Sequence, residues 1–442
     1  MSALTVRPGA SLRGQVGVPG DKSISHRALL LGAIAGGVSR VEGFLPAADC
    51  LASLHAIQGL GIQLEPAGPT SFQIIGRGLR GLREPEDVLN CRRSGTTLRL
   101  LAGILAGQPF TSVLNGEDQL RRRPMRRIVE PLRQMGATIL GRDGGRLPPL
   151  VIRGGALAGI DYSLPVASAQ VKSALLLAGL YAEGPTTLHV PGPARDHTER
   201  LLGAMGCDVR YQIPGTGDPV PDTQSLELHP PARLAPLDLT IPGDFSSAAF
   251  LAVAAALVPG SEVTVTGVGL NPTRSGLLDV LRAVGARLSL TGQHLASGEP
   301  VADLTITTSQ LRGTEIGGPT VVRMIDEFPM LAVAATQAEG QTVVRDAAEL
   351  RVKETNRIAT TVQQLRRLGA EIEAQADGFV VHGPTPLRGA RVHSHGDHRL
   401  AMALAVAGLI AQGETVVDDV DCIADSFPGF VESLIRLGAD LQ

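Results

Sequence analysis

The chain has 442 residues, a length that favours two domains over a single core. Its net charge of −3 at pH 7 and its 19% of charged residues create no general attraction to nucleic acid or to an acidic membrane surface. Aromatic residues make up only 3% of the chain, whereas a protein that reads bases by stacking needs more of them. Composition therefore disfavours a nucleic-acid binder and is that of an ordinary globular protein.

Cysteine usage and hydropathy indicate a cytoplasmic protein. The four cysteines, at positions 50, 91, 207 and 422, lie far apart and include no Cys-x-x-Cys pair, so we expect reduced thiols. Residues 1–20 lack the basic start and apolar stretch of a secretory signal. Apolar stretches such as 248–258 fall well short of the ~20 residues that span a bilayer.

Six segments share one pattern, in which an amphipathic stretch ends at a glycine and a strand-like stretch follows. Glycine best tolerates the left-handed conformation with which many helices end, so each segment predicts a helix end before a strand. The six segments are 55–61, 132–136, 202–206, 281–285, 365–369 and 434–438.

Six further helices, rich in Ala and Leu, recur at the same spacing. They begin at polar residues in 23–26, 94–97, 168–172, 244–247, 326–327 and 397–399, and run to glycine turns near Gly36, Gly107, Gly184, Gly260, Gly340 and Gly413. Alternating stretches such as 262–268 and 341–346 predict strands between them. The sequence therefore predicts an α/β fold of α+β repeats. Two domains each contain three βαβαββ-type units around buried helices.

The first two of these polar helix starts carry features that suit an anion. A helix N-terminus presents unpaired N–H groups and a partial positive charge, although Ser, Thr and Asp are also simply good caps. In the first, Lys22 and Ser23 lie at the mouth of the helix and Arg27 one turn further. In the second, Gly95 would let a ligand approach the backbone closely.

The densest positive charge is the run Arg-Arg-Arg-Pro-Met-Arg-Arg at 121–127. A nucleic-acid patch is one interpretation, but no aromatic residue is available for stacking, and Pro124 begins an amphipathic helix. We favour an arginine of this run that grips a small anion through two hydrogen bonds.

Acid–base candidates lie in the second half of the chain. Asp326 precedes a helix, and the segment 353–357, Lys-Glu-Thr-Asn-Arg, opens another. Each could be an ordinary helix start, yet a carboxylate beside cations is what proton transfer at an anionic substrate requires. Three histidines in 393–398 lack a nearby cysteine and fit no standard ligand spacing, so we expect no metal.

Together these motifs resemble the enolpyruvyl transferase family, from Lys22 to Phe427. They are most similar to its class II members that act on shikimate 3-phosphate, because three more motifs are intact: Ser-Ala-Gln-Val-Lys at 168–172, Arg-Asp-His-Thr-Glu at 195–199 and Asn-Pro-Thr-Arg at 271–274. The resemblance implies two domains of three repeats, residues 1–19 with 242–442 and residues 20–241, hinged around a cleft.

The resemblance also implies a reaction. The enolpyruvyl group of phosphoenolpyruvate passes to the 5-hydroxyl of shikimate 3-phosphate, and phosphate leaves through a tetrahedral intermediate, with no metal or organic cofactor. It implies a monomeric transferase of the shikimate pathway to aromatic amino acids, in an enzyme class that glyphosate targets. The related transferase acting on UDP-N-acetylglucosamine is the alternative. That enzyme usually has a cysteine before the Arg-Pro pair, and residues 115–123 contain none.

Site residues carry over position by position. By the resemblance, the residues that hold shikimate 3-phosphate are Lys22, Ser23, Arg27, Ser168, Ala169, Gln170, Arg195, Asp326 and Lys353. Those around phosphoenolpyruvate are Lys22, Gly95, Arg123, Gln170, Arg357 and Arg399. The catalytic residues would be Asp326, which takes the hydroxyl proton, Glu354, which protonates the methylene carbon, and Lys22.

The sequence shows three departures from the family pattern, at four positions. Arg92 and Arg93 replace the usual Gly-Asn, Asn356 replaces an Asp, and Asp425 stands where some members have a substrate-contacting Lys. These changes alter charge near the expected ligands without removing a catalytic group.

Overall fold

A computed structural model describes residues 2–9, 11–212 and 223–442. The chain forms two compact units. The discontinuous unit contains Met1–Pro19, Pro242–Leu295 and Glu299–Gln442, and the central unit contains Gly20–Ile241 with Ala296–Gly298. Each unit has its own core of buried apolar side chains.

The elements alternate along the chain in the order that the repeats predict. The strands are β1 (Ala3–Arg7), β2 (Arg13–Gly17), β3 (Gly36–Glu42), β4 (Gln63–Gly68), β5 (Ser71–Arg77), β6 (Leu89–Asn90), β7 (Thr111–Asn115), β8 (Thr138–Gly141), β9 (Leu147–Arg153), β10 (Leu157–Ala158), β11 (Asp161–Ser163), β12 (Ala182–Glu183), β13 (Thr186–Pro191), β14 (Asp208–Gln212), β15 (Thr223–His229), β16 (Asp238–Thr240), β17 (Glu262–Gly269), β18 (Arg287–Ala296), β19 (Glu299–Thr307), β20 (Glu315–Ile316), β21 (Gly340–Val344), β22 (Glu371–Ala374), β23 (Phe379–Gly383), β24 (Arg391–His393), β25 (Thr415–Asp418) and β26 (Asp440–Leu441). The helices are α1 (Lys22–Ile34), α2 (Ala48–Gly59), α3 (Gly95–Ala106), α4 (Asp118–Arg121), α5 (Arg126–Gln134), α6 (Arg142–Gly145), α7 (Ala169–Gly179), α8 (His197–Ala204), α9 (Phe245–Leu257), α10 (Gly276–Ala283), α11 (Pro319–Arg323), α12 (Phe328–Thr336), α13 (Arg357–Arg367), α14 (His398–Ile410) and α15 (Phe430–Arg436), with 3-10 turns at Ala348–Val352 and Val420–Asp425.

Within the described ranges, the strands form six four-stranded sheets of one design, besides the small pair β10–β12. In each, an edge strand is parallel to its neighbour, and that neighbour is antiparallel to the third strand. The central unit contains the sheets β16-β3-β5-β4, β6-β7-β9-β8 and β11-β13-β15-β14. The discontinuous unit contains β18-β19-β17-β2, β20-β21-β23-β22 and β24-β25-β1-β26. The predicted sixfold repeat and α/β class are confirmed.

The helix-ending glycines behave as the repeat predicts. All six have positive φ, with values of 84° at Gly61, 112° at Gly136, 82° at Gly206, 95° at Gly285, 89° at Gly369 and 107° at Gly438. In the second series Gly184, Gly260, Gly340 and Gly413 also have positive φ, whereas at the first turn Gly37 rather than Gly36 does. Gly107 differs as well, because it caps α3 with φ −93°. A Cβ there would lie 2.1 Å from the Tyr181 ring, so close packing selects this glycine instead.

Small residues explain why the Ala/Leu helices can be buried on all sides. In α9 every residue from 245 to 256 is buried. In the central unit α3 crosses α7 closely, since a Cβ on Gly103 would lie 2.1 Å from the carbonyl oxygen of Ala174. Such helices fill the interior of each unit and leave only their ends for function. No helix in the described residues is long and apolar enough to cross a membrane.

Candidate active site

In the central unit, three buried helices present capped N-termini. Asp21 caps α1 by accepting from the Ile24 amide at 2.9 Å, and Ser94 caps α3 by accepting from the Thr97 amide at 3.1 Å. Ser168 caps α7. These caps use one side-chain oxygen each, so further N–H groups of the first turns remain available to an anion.

Polar side chains join these helix starts. Arg195 Nη1 donates to Ser23 Oγ at 3.4 Å. Gln170 accepts from Arg99 Nη1 at 2.5 Å and donates to Thr96 Oγ1 at 2.8 Å. The structure therefore brings the predicted residues of α1 and the loop before α8 together, and likewise those of α3 and α7. It also adds Arg99, which the sequence analysis missed although it lies one helical turn after Gly95.

Two guanidinium groups crowd Gly95. A Cβ at this position would lie 2.7 Å from Arg99 Nη1 and 3.0 Å from Arg123 Nη1. The lack of a side chain thus lets two positive charges lie over a helix N-terminus. This combination of cations and backbone donors fits a small phosphate or carboxylate.

Lys22 pairs with an acid that the sequence analysis did not single out. Its Nζ lies 2.5 Å from Asp49 Oδ2, and both side chains are largely buried. The Asp49 carbonyl in turn accepts from the Thr97 hydroxyl at 3.3 Å. The first turn of α2 therefore positions the Lys22 ammonium beside the start of α3. Asp49 lies 27 positions further along the chain than Lys22, so only the fold reveals the pair.

Arg27 is buried, and its guanidinium connects three helices. Nε donates to Thr198 Oγ1 at 2.7 Å, Nη2 to Ser173 Oγ at 2.7 Å and Nη1 to the Ser23 carbonyl at 2.9 Å. Beside it, the buried Lys172 ammonium pairs with Glu199 and donates to the Ala194 carbonyl at 3.2 Å. These contacts explain the intact motifs around 168–172 and 195–199, since they fix the loop that carries Arg195.

The unusual Arg92-Arg93 pair is accommodated at some conformational cost. Arg92 has φ 49°, a left-handed conformation that favours the glycine usual at this position in the family. Arg93 Nε lies 3.0 Å from Glu117 Oε2, so a carboxylate partly offsets its charge. In the basic run, Arg121 and Arg126 also pair with carboxylates of their own helical segments, and α5 begins at Arg126 rather than at Pro124.

In the discontinuous unit, the predicted acid–base residues surround one buried guanidinium. Arg357, with a side chain only 1% exposed, lies 2.6 Å from Glu354 Oε2 and 3.3 Å from Asp326 Oδ1. Its Nε donates to Asp397 Oδ2 at 2.8 Å. Arg399 approaches the other Asp326 oxygen at 3.8 Å. Asp326 and Glu354 are therefore held on one cation, with each carboxylate partly exposed.

Burial and charge shift the pKa values of two cations here in opposite directions. Burial disfavours the charged form of Arg357, but Asp397 and Glu354 outweigh it and raise the pKa of this guanidinium. Burial lowers the pKa of Lys353, and the neighbouring Asp326 and Glu354 carboxylates offset only part of that effect. Arg357 is therefore a permanent charge, whereas Lys353 gives up a proton more readily than an exposed lysine.

Asn356, His393 and His395 have structural partners. Asn356 caps α13 by accepting from the Ala359 amide at 3.2 Å, so the replacement of Asp keeps the cap. Asp425 ends the 3-10 turn Val420–Asp425. His395 Nε2 lies 2.9 Å from the Gln364 amide nitrogen, and its ring lies 4.8 Å from that of His393.

Comparison with solved structures identifies the class of protein. The chain shares its fold with the enolpyruvyl transferase NikO from Streptomyces tendae, at 20% identity and a TM-score of 0.81, over 100% of this chain and 98% of the other. An EPSP synthase structure from Acinetobacter baumannii matches at 41% identity and a TM-score of 0.88, covering 100% of this chain and 99% of that one.

The particular family follows from sequence. The model of EPSP synthase (3-phosphoshikimate 1-carboxyvinyltransferase) matches residues 6–434. A 3-phosphoshikimate 1-carboxyvinyltransferase from Desulforamulus reducens is 51% identical over 98% of each chain, and one from Geobacter sp. strain M21 is 53% identical over 98% of this chain and 99% of its own. The chain belongs to the EPSP synthase family.

Proposed function

We propose that the chain transfers the enolpyruvyl group of phosphoenolpyruvate to the 5-hydroxyl of shikimate 3-phosphate and releases phosphate. The observation that carries this proposal is the buried Arg357 holding Asp326 and Glu354, because addition of a hydroxyl to the double bond of an enol phosphate needs one base and one acid fixed near a cation. Family membership supports the same reaction. The alternative, a transferase acting on UDP-N-acetylglucosamine, is not favoured, since the relatives reported above are named 3-phosphoshikimate 1-carboxyvinyltransferase.

The proposed reaction is an addition followed by an elimination. Asp326 takes the proton of the 5-hydroxyl, whose oxygen forms a bond to C2 of phosphoenolpyruvate, while Glu354 gives a proton to C3. Glu354, now a carboxylate, then takes a proton back from C3, the C2–C3 double bond forms again and the C2–O bond to phosphate breaks, while the proton held by Asp326 leaves with the phosphate. Lys353 lies beside these carboxylates, and burial lowers its pKa. Its ammonium group is therefore suited to pass a proton to Glu354.

The family resemblance supplies the residues that we propose for binding the anionic groups. In the central unit, Lys22, Gly95 and Arg123 would bind phosphoenolpyruvate with Gln170. Arg357 and Arg399 of the discontinuous unit complete the proposed set. Shikimate 3-phosphate would use the hydroxyls, amides and cations of Lys22, Ser23, Arg27, Ser168, Ala169, Gln170, Arg195, Asp326 and Lys353. Fixed donors that face developing charge stabilise it without reorganisation.

Several expectations stay predictions within this proposal. They are the hinged cleft, the domain boundaries at 19/20 and 241/242 as functional domains, the monomeric state, the cytoplasmic location and a reaction without metal or organic cofactor.

Burial raises the pKa of Cys207 to about 11, and all four cysteines are buried, which suits thiols that take no part in chemistry.

The direct test is a phosphate-release assay on the unmutated chain. Shikimate 3-phosphate and UDP-N-acetylglucosamine are offered as alternative acceptors with phosphoenolpyruvate, and the products are identified by mass spectrometry. We expect phosphate release and an enolpyruvyl ether with shikimate 3-phosphate only. Product formation with UDP-N-acetylglucosamine alone would refute the proposal.

We expect Gly95→Ala to fold normally but to bind phosphoenolpyruvate more weakly. The new methyl group would lie 2.7 Å from Arg99 Nη1 and 3.0 Å from Arg123 Nη1, so both flexible guanidinium ends must move away. The loss of one charge-assisted hydrogen bond corresponds to a rise of roughly tenfold in KM for phosphoenolpyruvate. Gly203→Ala, where a Cβ meets nothing within 4 Å, is the control and should leave KM unchanged.

A further inference from the structure

Two sequence features have no part in the chemistry above, namely the helix start at Asp244 and the Asn-Pro-Thr-Arg motif at 271–274. In the structure both belong to one buried polar group in the discontinuous unit. Asp244 caps α9 by accepting from the Ser247 amide at 2.9 Å, and its Oδ1 also pairs with Arg274 Nη2 at 2.9 Å. The motif therefore supplies the cation that neutralises the cap.

A chain of hydrogen bonds leads from this cation to the residue after Asp326. Arg274 Nη2 donates to Ser246 Oγ at 2.8 Å, and the Ser246 hydroxyl donates to Glu327 Oε1. The two hydrogen bonds can form at the same time, because the Ser246 hydroxyl accepts one from the guanidinium and donates its single proton to the carboxylate. Arg274, Ser246 and Glu327 are all buried, so the orientation of each group is fixed by its partners.

The same motif holds the other side of the Asp326 segment. Arg323 Nε donates to the Pro272 carbonyl at 2.7 Å, and Arg323 Nη2 lies 2.6 Å from Asp279 Oδ2. The turn itself is rigid, since Asn271 Oδ1 accepts from the Thr273 amide at 2.9 Å. The short segment that carries Asp326 is thus attached to the 271–274 turn at two points. One is Arg323, three residues before Asp326, and the other is Glu327, the residue after it.

We propose that Arg274 is a positioning residue for Asp326. It acts through the Ser246 hydroxyl and the Glu327 carboxylate, and it keeps the Asp326 carboxylate between Arg357 and Arg399. This inference rests on the proposed function, in which Asp326 is the base. Asp326 lies between α11 and α12 and belongs to neither helix, so its backbone needs anchors on both sides. Displacement of a base by about 1 Å can cost up to about a hundredfold in rate.

The test uses Ser246→Ala, which removes the bridging hydroxyl and adds no bulk. We expect kcat for phosphate release to fall about tenfold, with KM for both substrates within about twofold of the parent. Thr336→Val is the matched control, because it removes another buried hydroxyl, at the last residue of α12, whose Oγ1 donates to the Val333 carbonyl at 2.7 Å. The control should lose comparable stability in urea and keep the parent kcat.

A double-mutant cycle separates positioning from general destabilisation. In an Asp326→Asn background, Ser246→Ala should produce no further loss of kcat, because the residue it positions is already inactive. An equal loss in both backgrounds, or a parent-like kcat for Ser246→Ala, would overturn the inference while the proposed function stands. A parent chain that releases no phosphate overturns the proposed function and the inference with it.

Discussion

Asp326→Asn should lower kcat for phosphate release by about 10²–10⁴, the usual contribution of a general base. The amide keeps the size of the carboxylate but cannot take the hydroxyl proton, and Arg357 keeps Glu354 and Asp397 as partners. We expect near-parent KM values, measured with phosphoenolpyruvate and shikimate 3-phosphate as the varied substrates.

The matched control is Asp418→Asn in the same unit. Asp418 pairs with the exposed Arg391 at 2.7 Å and has no proposed role in the reaction, so kcat should equal that of the parent. An Asp326→Asn variant with kcat within threefold of the parent would remove this residue from the mechanism.

Arg357→Met should have the largest effect on stability, a loss of about 3–5 kcal/mol in the free energy of unfolding. The substitution leaves Asp397 buried without its cation and removes the guanidinium that Glu354 and Asp326 share. Urea unfolding followed by circular dichroism measures the change.

Two companion variants make that result interpretable. Arg391→Met breaks an exposed pair with Asp418, and its unfolding midpoint should stay close to the parent's because water screens such charges. Arg357→Lys keeps the charge but not the planar fork, so it should fold and show a raised KM for phosphoenolpyruvate. An Arg357→Met variant as stable as the parent would mean that the three carboxylates do not depend on this cation.

The repeat architecture could be predicted because it depends on local signals. Glycines such as Gly61 and Gly438 are chosen by backbone conformation, and caps such as Asp21 and Ser94 are chosen by the helix they begin. Each signal lies within a few residues of the structure it specifies.

The site could be predicted only as a set of residues and not as a set of contacts. Nothing near Lys22 in sequence indicates Asp49 as its partner, and Arg27 meets Thr198 across 171 positions. Asp397 was placed at a helix start, yet its second role of holding Arg357 depends on how α13 and α14 pack. Long-range pairs of this kind are set by tertiary packing, which local patterns do not encode.

The sheet β24-β25-β1-β26 affects the order in which the two units can fold during synthesis. Its strand β1 pairs with β25 and β26, and Thr5 exchanges backbone hydrogen bonds with Gln442 at 2.7 and 2.9 Å. During synthesis β1 leaves the ribosome long before β25 and β26, so it stays without these partners until they emerge. Residues 20–241 contain three complete sheets and can fold in the meantime.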